Sequence, residues 1–225
     1  MPLSRPHVLL LLAIVVTPRL ASAQLYSLID LGDLPGGVNH STALSVNKHS
    51  YVTGTSGTTG GAGSTSHPYL WNPNTQNMTD LGVLDPNNDW GDGYAVSDGY
   101  VAGWGGFGSS TRAWRWDSSN GLINLGDLAG GLDRSFAYSV NDAGFVTGRS
   151  NSNAGDRAFV WSPATQQMTD IGDLPGGGTE SSGRDINNNG FVAGWADAAT
   201  GERGFVWDPN TQQMKDVGDL PGGAD

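Results

Sequence analysis

The sequence predicts an all-β fold: a β-propeller-like array of four-stranded repeats of about 45 residues, with four full units and part of a fifth. Three landmarks carry that expectation. Tryptophan closes an apolar run at Trp71, Trp116, Trp161 and Trp207, with spacings of 45, 45 and 46. Val-x-Gly recurs at Val52/Gly54, Val101/Gly103, Val146/Gly148 and Val192/Gly194, with spacings of 49, 45 and 46. Asp-Leu-Gly or a close variant begins at Asp30, Asp80, Asn124, Asp170 and Asp216, with spacings of 50, 44, 46 and 46. Three landmarks that keep one order and one phase four times over define units at 33–82, 83–126, 127–172 and 173–218, with a fifth opening at 219–225.

Residues 1–23 read as a signal peptide. Arg5 is the positive n-region, Val8 to Val16 is a nine-residue apolar run, and Ala21-Ser22-Ala23 is a small-x-small cleavage site. Nine apolar residues are too few for a membrane span, which needs about 20. The expected product, 24–225, is therefore secreted or periplasmic, with no membrane span.

The third unit shows the strand pattern best. Ser135 to Asn141 alternates as a first strand, Asp142-Ala143-Gly144 turns, and Phe145 to Arg149 returns as a hairpin. Ser150 to Asp156 reads as a polar loop, Arg157 to Trp161 as a third strand, and Met168 to Gly172 as a fourth. Pro175-Gly176 suits the centre of a type II turn. Gly and Pro interrupt every helical window, at roughly 1 and 3 kcal/mol in a helix interior. Two segments break the pattern: the Gly/Ser/Thr-rich loop at 56–66, expected to be mobile, and the turn from Asp85 to Gly93.

The chain opens on a last-strand sequence, Tyr26 to Gly32, and stops just after the turn that opens a fifth unit. Two expectations stand side by side. One is ring closure, in which the N-terminal strand completes a C-terminal unit, although the last unit already has its own fourth strand and one strand would be surplus. The other, preferred, is that the chain is a fragment of a longer array. Pairing of chains to complete a ring is a further partner expectation.

These residues resemble the bacterial extracellular repeat family named HAF. Its units carry a His-Ala-Phe-like strand ending in Trp, then Met-x-Asp-Leu-Gly and a Gly-Gly turn. Here the matching residues are Arg157 to Trp161, Met168 to Gly172 and Pro175-Gly176-Gly177, preceded by Asn141 to Gly148. The likeness covers nearly all of 24–225. The family's His is Arg at Arg112, Arg157 and Arg203, and only His67 keeps it. The resemblance implies a secreted bacterial protein and implies no activity.

Composition excludes several functions. The net charge is −11, and removing Arg5 and Arg19 takes it to −13. So acidic a chain is not expected to bind nucleic acid, whose phosphates need cations. There is no cysteine, so neither disulfides nor thiol chemistry arise. The expected function is a non-enzymatic binding or interaction scaffold, with a carbohydrate or an extracellular protein as partner. Its candidate ligand contacts are Trp90, Trp104 and Trp195, aromatics that stand outside the repeat. Repeated Trp71, Trp116, Trp161 and Trp207 read as core. The alternative function is a glycan-active hydrolase using carboxylates such as Asp92, Asp98 or Asp185. No catalytic residue, cofactor or metal is assigned, although Asp85, Asn87, Asp89 and Asp92 alternate weakly like a calcium loop. Trp90 stands where that loop needs glycine.

Overall fold

The computed structural model describes residues 27–37, 40–58 and 65–220. The signal segment and most of the 56–66 loop lie outside these residues. Segment 27–30 groups apart from the unit that begins at Leu31. Sixteen strands and no helix occur among the described residues.

The strands run in chain order in fours. The first unit holds β1 (Ser41–Val46), β2 (Val52–Gly57), β3 (Ser66–Asn72) and β4 (Asn77–Asp80). The second holds β5 (Gly91–Val96), β6 (Tyr100–Phe107), β7 (Ser110–Asp117) and β8 (Gly121–Asn124). The third holds β9 (Gly130–Val140), β10 (Val146–Ser152), β11 (Gly155–Ser162) and β12 (Gln167–Asp170). The fourth holds β13 (Ser181–Ile186), β14 (Val192–Ala198), β15 (Gly201–Asp208) and β16 (Gln213–Asp216). Within every unit each strand pairs antiparallel with the next in sequence. One parallel bridge, Thr111 to Arg134, joins the second and third units into an eight-stranded sheet.

The landmarks of the repeat are partners in register. Val52, Val101, Val146 and Val192 lie opposite Trp71, Trp116, Trp161 and Trp207. Val101, Val146 and Val192 are buried, as are Trp71, Trp161 and Trp207, while Trp116 is half-buried. Tyr69, Trp114, Phe159 and Phe205, two residues earlier on the same strands, are buried almost completely. Buried aromatics of this size supply the dominant apolar term of each unit.

Each first strand packs on the second and third strands of the unit before it: β5 on β2 and β3, β9 on β6 and β7, β13 on β10 and β11. The approach is so close that a Cβ at Gly93 would lie 2.4 Å from the Thr53 hydroxyl, and one at Gly183 2.2 Å from the Thr147 hydroxyl. Polar clamps close the same junctions. The Ser135 hydroxyl accepts from the Ala113 N–H at 3.0 Å and donates to the Gly126 carbonyl at 2.6 Å. Ser181 does the same with Ala158 and Gly172, at 3.0 and 2.7 Å.

Two sequence expectations change. Residues 150–156 are not an open loop: β10 and β11 run on to Ser152 and from Gly155 as a tight hairpin, with Asn151 hydrogen-bonded to Asp156 at 2.9 Å. The fourth strand ends at Asp170, because Gly172 takes φ +88° and leaves the extended region.

Candidate functional site: a groove along the first strands

All four first strands carry a bulge at the same place. Register skips Leu44 in β1, Tyr94 in β5, Tyr138 in β9 and Arg184 in β13. A bulge inserts an unpaired residue and re-aims its side chain. These four are exposed or half-buried, whereas the alternate positions Ala95, Ala137 and Ser139 are buried. The first strands together border a groove of about 530 Å³ whose lining includes Leu44, Tyr94 and Tyr138.

One end of the groove is made by the hairpin turns after the first strands and is acidic. Lys48 Nζ lies 2.7 Å from Asp98 and 3.1 Å from Asp142. Asp142 also accepts from the Asp98 N–H at 3.0 Å and the Asn188 amide at 2.7 Å. These bonds, the Asp98 N–H foremost, hold the Asp142 carboxyl below the ordinary carboxylate range. The same pairing, with Asp98 first and Asp142 second, raises the Lys48 ammonium. Asp185 accepts from the Ser139 hydroxyl at 2.7 Å.

Tyr94 and Tyr138 of the groove lining also belong to an adjoining aromatic and cationic cluster. Trp104 contacts Tyr94, Phe136 and Tyr138 with ring centroids 4.8, 5.7 and 5.6 Å apart. Phe136 and Tyr138 are stacked at 6.5 Å. The Arg149 and Arg134 guanidiniums lie 5.1 and 5.3 Å from the Phe136 centroid, and Arg184 lies 4.6 Å from that of Tyr138. Arg149 also reaches Asp156 at 3.4 Å, yet its buried Nε has no hydrogen-bond partner.

Trp90 is half-buried in the turn before β5, where its backbone bridges Ser66 and its carbonyl accepts from the Gly106 N–H at 3.1 Å. With Asn88, Ser109, Ser110, Thr111 and Arg134 it lines a second pocket of about 470 Å³. Arg134 thus links Trp90 to the aromatic cluster. Trp195 is not part of it. Trp104 faces Phe136 and Tyr138 of the following unit, and Trp195 belongs to the fourth unit, with no aromatic neighbour among the described residues.

The calcium-loop residues are not gathered. Asp85 accepts from the Gly108 N–H, the Asn87 N–H and the Asn88 amide at 2.9, 2.9 and 3.0 Å, which lowers its carboxyl to about 2. Asp89 turns to His67 at 2.8 Å, and Asp92 accepts from the Thr55 hydroxyl at 2.7 Å. Each carboxylate has a partner of its own, and among the described residues no group of three or more His, Cys, Asp or Glu is arranged to hold a metal.

His67 stands where the other units have Arg112, Arg157 and Arg203. Arg112 pairs with Asp127, Arg157 with Asp173 and Arg203 with Asp219, each the Asp that follows Leu-Gly or its variant. In the first unit that Asp is Val83. His67 instead bridges Asp80 and Asp89, 2.8 Å to each.

Sequence reasoning missed Tyr94, Tyr138 and Arg184. The position carries Leu, Tyr, Tyr and Arg at a fixed phase of the first strand, but its neighbours vary too, so the sequence does not single it out.

A family described as a protein of unknown function (DUF3466) matches residues 113–221. No curated protein is similar to the chain in sequence. Among solved structures the fold is similar to TolB from Acinetobacter baumannii, with a TM-score of 0.55 at 9% identity over 79% of this chain. The chain spans 43% of the length of that protein. The likeness extends to the all-β fold and no further.

Proposed function

We propose that the chain is a secreted, non-enzymatic binding scaffold, a propeller-like array that holds its ligand in the groove along the first strands. One observation carries the reading: Tyr94, Trp104, Phe136 and Tyr138 form a half-buried aromatic cluster at the junction of the second and third units, a grouping of four rings that the other units, with Leu44, Thr55, Thr42, Arg184 and Ser182 at equivalent positions, do not repeat. Binding residues on irregular positions of a rigid repeated scaffold are the usual division of labour. A carbohydrate is the ligand class that fits aromatic rings beside hydroxyl and amide groups. The propeller-like arrangement is supported by the sequential four-stranded units, the first-strand junctions and the likeness to TolB. The fourth unit presents Val217 and Leu220, 60% and 87% exposed, where Ile171 and Leu174 of the third are buried. Those side chains give the fourth unit an apolar edge that pairing with a second chain would cover.

The competing reading, a glycan hydrolase, needs a carboxyl raised to act as general acid. The three carboxylates named for it are engaged separately: Asp92 accepts from the Thr55 hydroxyl, Asp185 from the Ser139 hydroxyl, and Asp98 pairs with Lys48. Affinity electrophoresis of the full chain through a panel of soluble polysaccharides, with a parallel assay for new reducing ends, tests the reading. Retention by at least one polysaccharide, reduced at least about tenfold in Trp104→Ala, without new reducing ends, is the expected result. Release of reducing ends that Asp92→Asn, Asp98→Asn or Asp185→Asn abolishes would establish the hydrolase instead.

A further inference from the structure

We infer that the aromatic cluster beside the groove takes an anionic saccharide, whose carboxylate or sulfate engages Arg134, Arg149 and Arg184. The inference rests on the groove reading above and names the ligand's charge.

The disposition of cations carries it. The chain has only 11 Lys and Arg against 22 Asp and Glu, so carboxylate partners are plentiful. Arg115, Arg149, Arg157 and Arg203 each have one, and Arg112 and Lys48 have two. Arg134 and Arg184 form no ion pair among the described residues, and their contacts are the rings of Phe136 and Tyr138. Two unpaired guanidiniums on one stacked ring pair, in a chain of net charge −11, mark a place where an anion is missing.

Geometry limits how a ligand approaches. The guanidiniums lie over the ring faces at 4.6–5.3 Å, so those faces are not free for a sugar to stack on. A guanidinium seated on a ring keeps its in-plane N–H donors, which match an oxyanion bidentately. Arg149 adds a buried Nε without a partner.

The pocket beside Arg134 favours a sugar acid over an acidic peptide. An oxyanion on Arg134 brings the rest of the ligand against Trp90, Asn88, Ser109 and Thr111, one indole among hydroxyl and amide groups. That wall suits a ring with hydroxyls.

Calorimetric titration of the full chain with oligogalacturonate (carboxylate), dextran sulfate (sulfate), neutral dextran and poly-L-glutamate tests the inference. Binding of oligogalacturonate or dextran sulfate is expected, and the tighter of the two identifies the oxyanion. Arg184→Ala and Arg149→Ala should each weaken it by roughly tenfold or more. Arg184 is exposed, so its variant keeps the fold, which an unchanged circular dichroism spectrum and melting temperature verify. Neutral dextran bound as tightly as the acidic chains, with loss in Trp104→Ala, would overturn the anion and leave the groove standing. Equal binding of poly-L-glutamate would overturn the saccharide. Binding unchanged in both arginine variants, or no binding of either polyanionic saccharide, would overturn the inference.

Discussion

Pro68 and Gly91 are matched across the junction of the first two units. At the equivalent junctions Ala113 and Ala158 donate an N–H to the hydroxyls of Ser135 and Ser181. Pro68 has no N–H, and Gly91, in the serine's place, has no hydroxyl. A Cβ on Gly91 would lie 3.3 Å from Pro68 Cδ. Ser135→Ala should therefore cost about 1–3 kcal/mol, because it strands a buried N–H. Gly91→Ser should bring no stabilisation, although it restores the residue the other units use. Urea midpoints of both variants check this, and a raised midpoint for Gly91→Ser would contradict it.

Arg115 fastens the second unit to the third. It is buried between the rings of Tyr100 and Trp161, at 4.6 and 4.9 Å, and donates to the Gly144 carbonyl at 3.2 Å and to Asp117 at 3.1 Å. Arg115→Ala leaves that carbonyl and part of the Asp117 carboxylate without a donor and opens a cavity between two rings. A loss of about 3 kcal/mol is expected. Arg115→Lys should recover only part of it, since an ammonium does not lie flat between rings. Thermal and urea unfolding measure both.

His67 makes stability depend on pH. Burial pulls its pKa down, but the bonds to Asp80 and then Asp89 outweigh burial, and the net shift is upward. A raised folded pKa means that the bridge contributes fully below the unfolded value, about 6.5. The contribution is lost as pH rises through the higher folded value. Unfolding free energy should therefore fall between mildly acidic and mildly alkaline pH in the wild type, and fall less in His67→Asn. Equal slopes in the two proteins would contradict this.

Asp85 titrates in the opposite sense. Its carboxyl is lowered to about 2, chiefly by the Gly108 N–H and then the Asn87 N–H. Its contribution is present above the unfolded value, about 3.9, and is lost as pH falls through about 2. Carboxyl carbon NMR should show Asp85 ionised at pH 3. Millimolar calcium should leave the Asp85, Asp89 and Asp92 signals in place, because each carboxylate already has its own partner.

What could be read in the sequence was whatever repeats. Val146 and Trp161 are cross-strand partners, so both recur at one period and both are buried. Trp104 was readable as an irregularity in that pattern. Its company was not, because Phe136 and Tyr138 come from the next unit and meet it only through the junction. Trp195, at the equivalent position of the fourth unit, makes no ring contact among the described residues, so the same residue at the same phase sits in a different environment. The 150–156 hairpin was obscured by its polar composition, which is that of a loop, although cross-strand bonds such as Asn151 to Asp156 hold it. Gln166, at φ 55° in the turn before β12, recurs as Gln76 and Gln212 with the same φ, so the turn is legible from the repeat but its left-handed residue is not, since glutamine is not expected there.

The groove can be observed directly through the eight tryptophans. Indole N–H resonances recorded during titration with oligogalacturonate report each ring separately. The account predicts shifts at Trp104 and Trp90, with the buried Trp71 and Trp161 unmoved. Shifts confined to Trp195, or a spectrum that does not change while binding is measured by calorimetry, would contradict it.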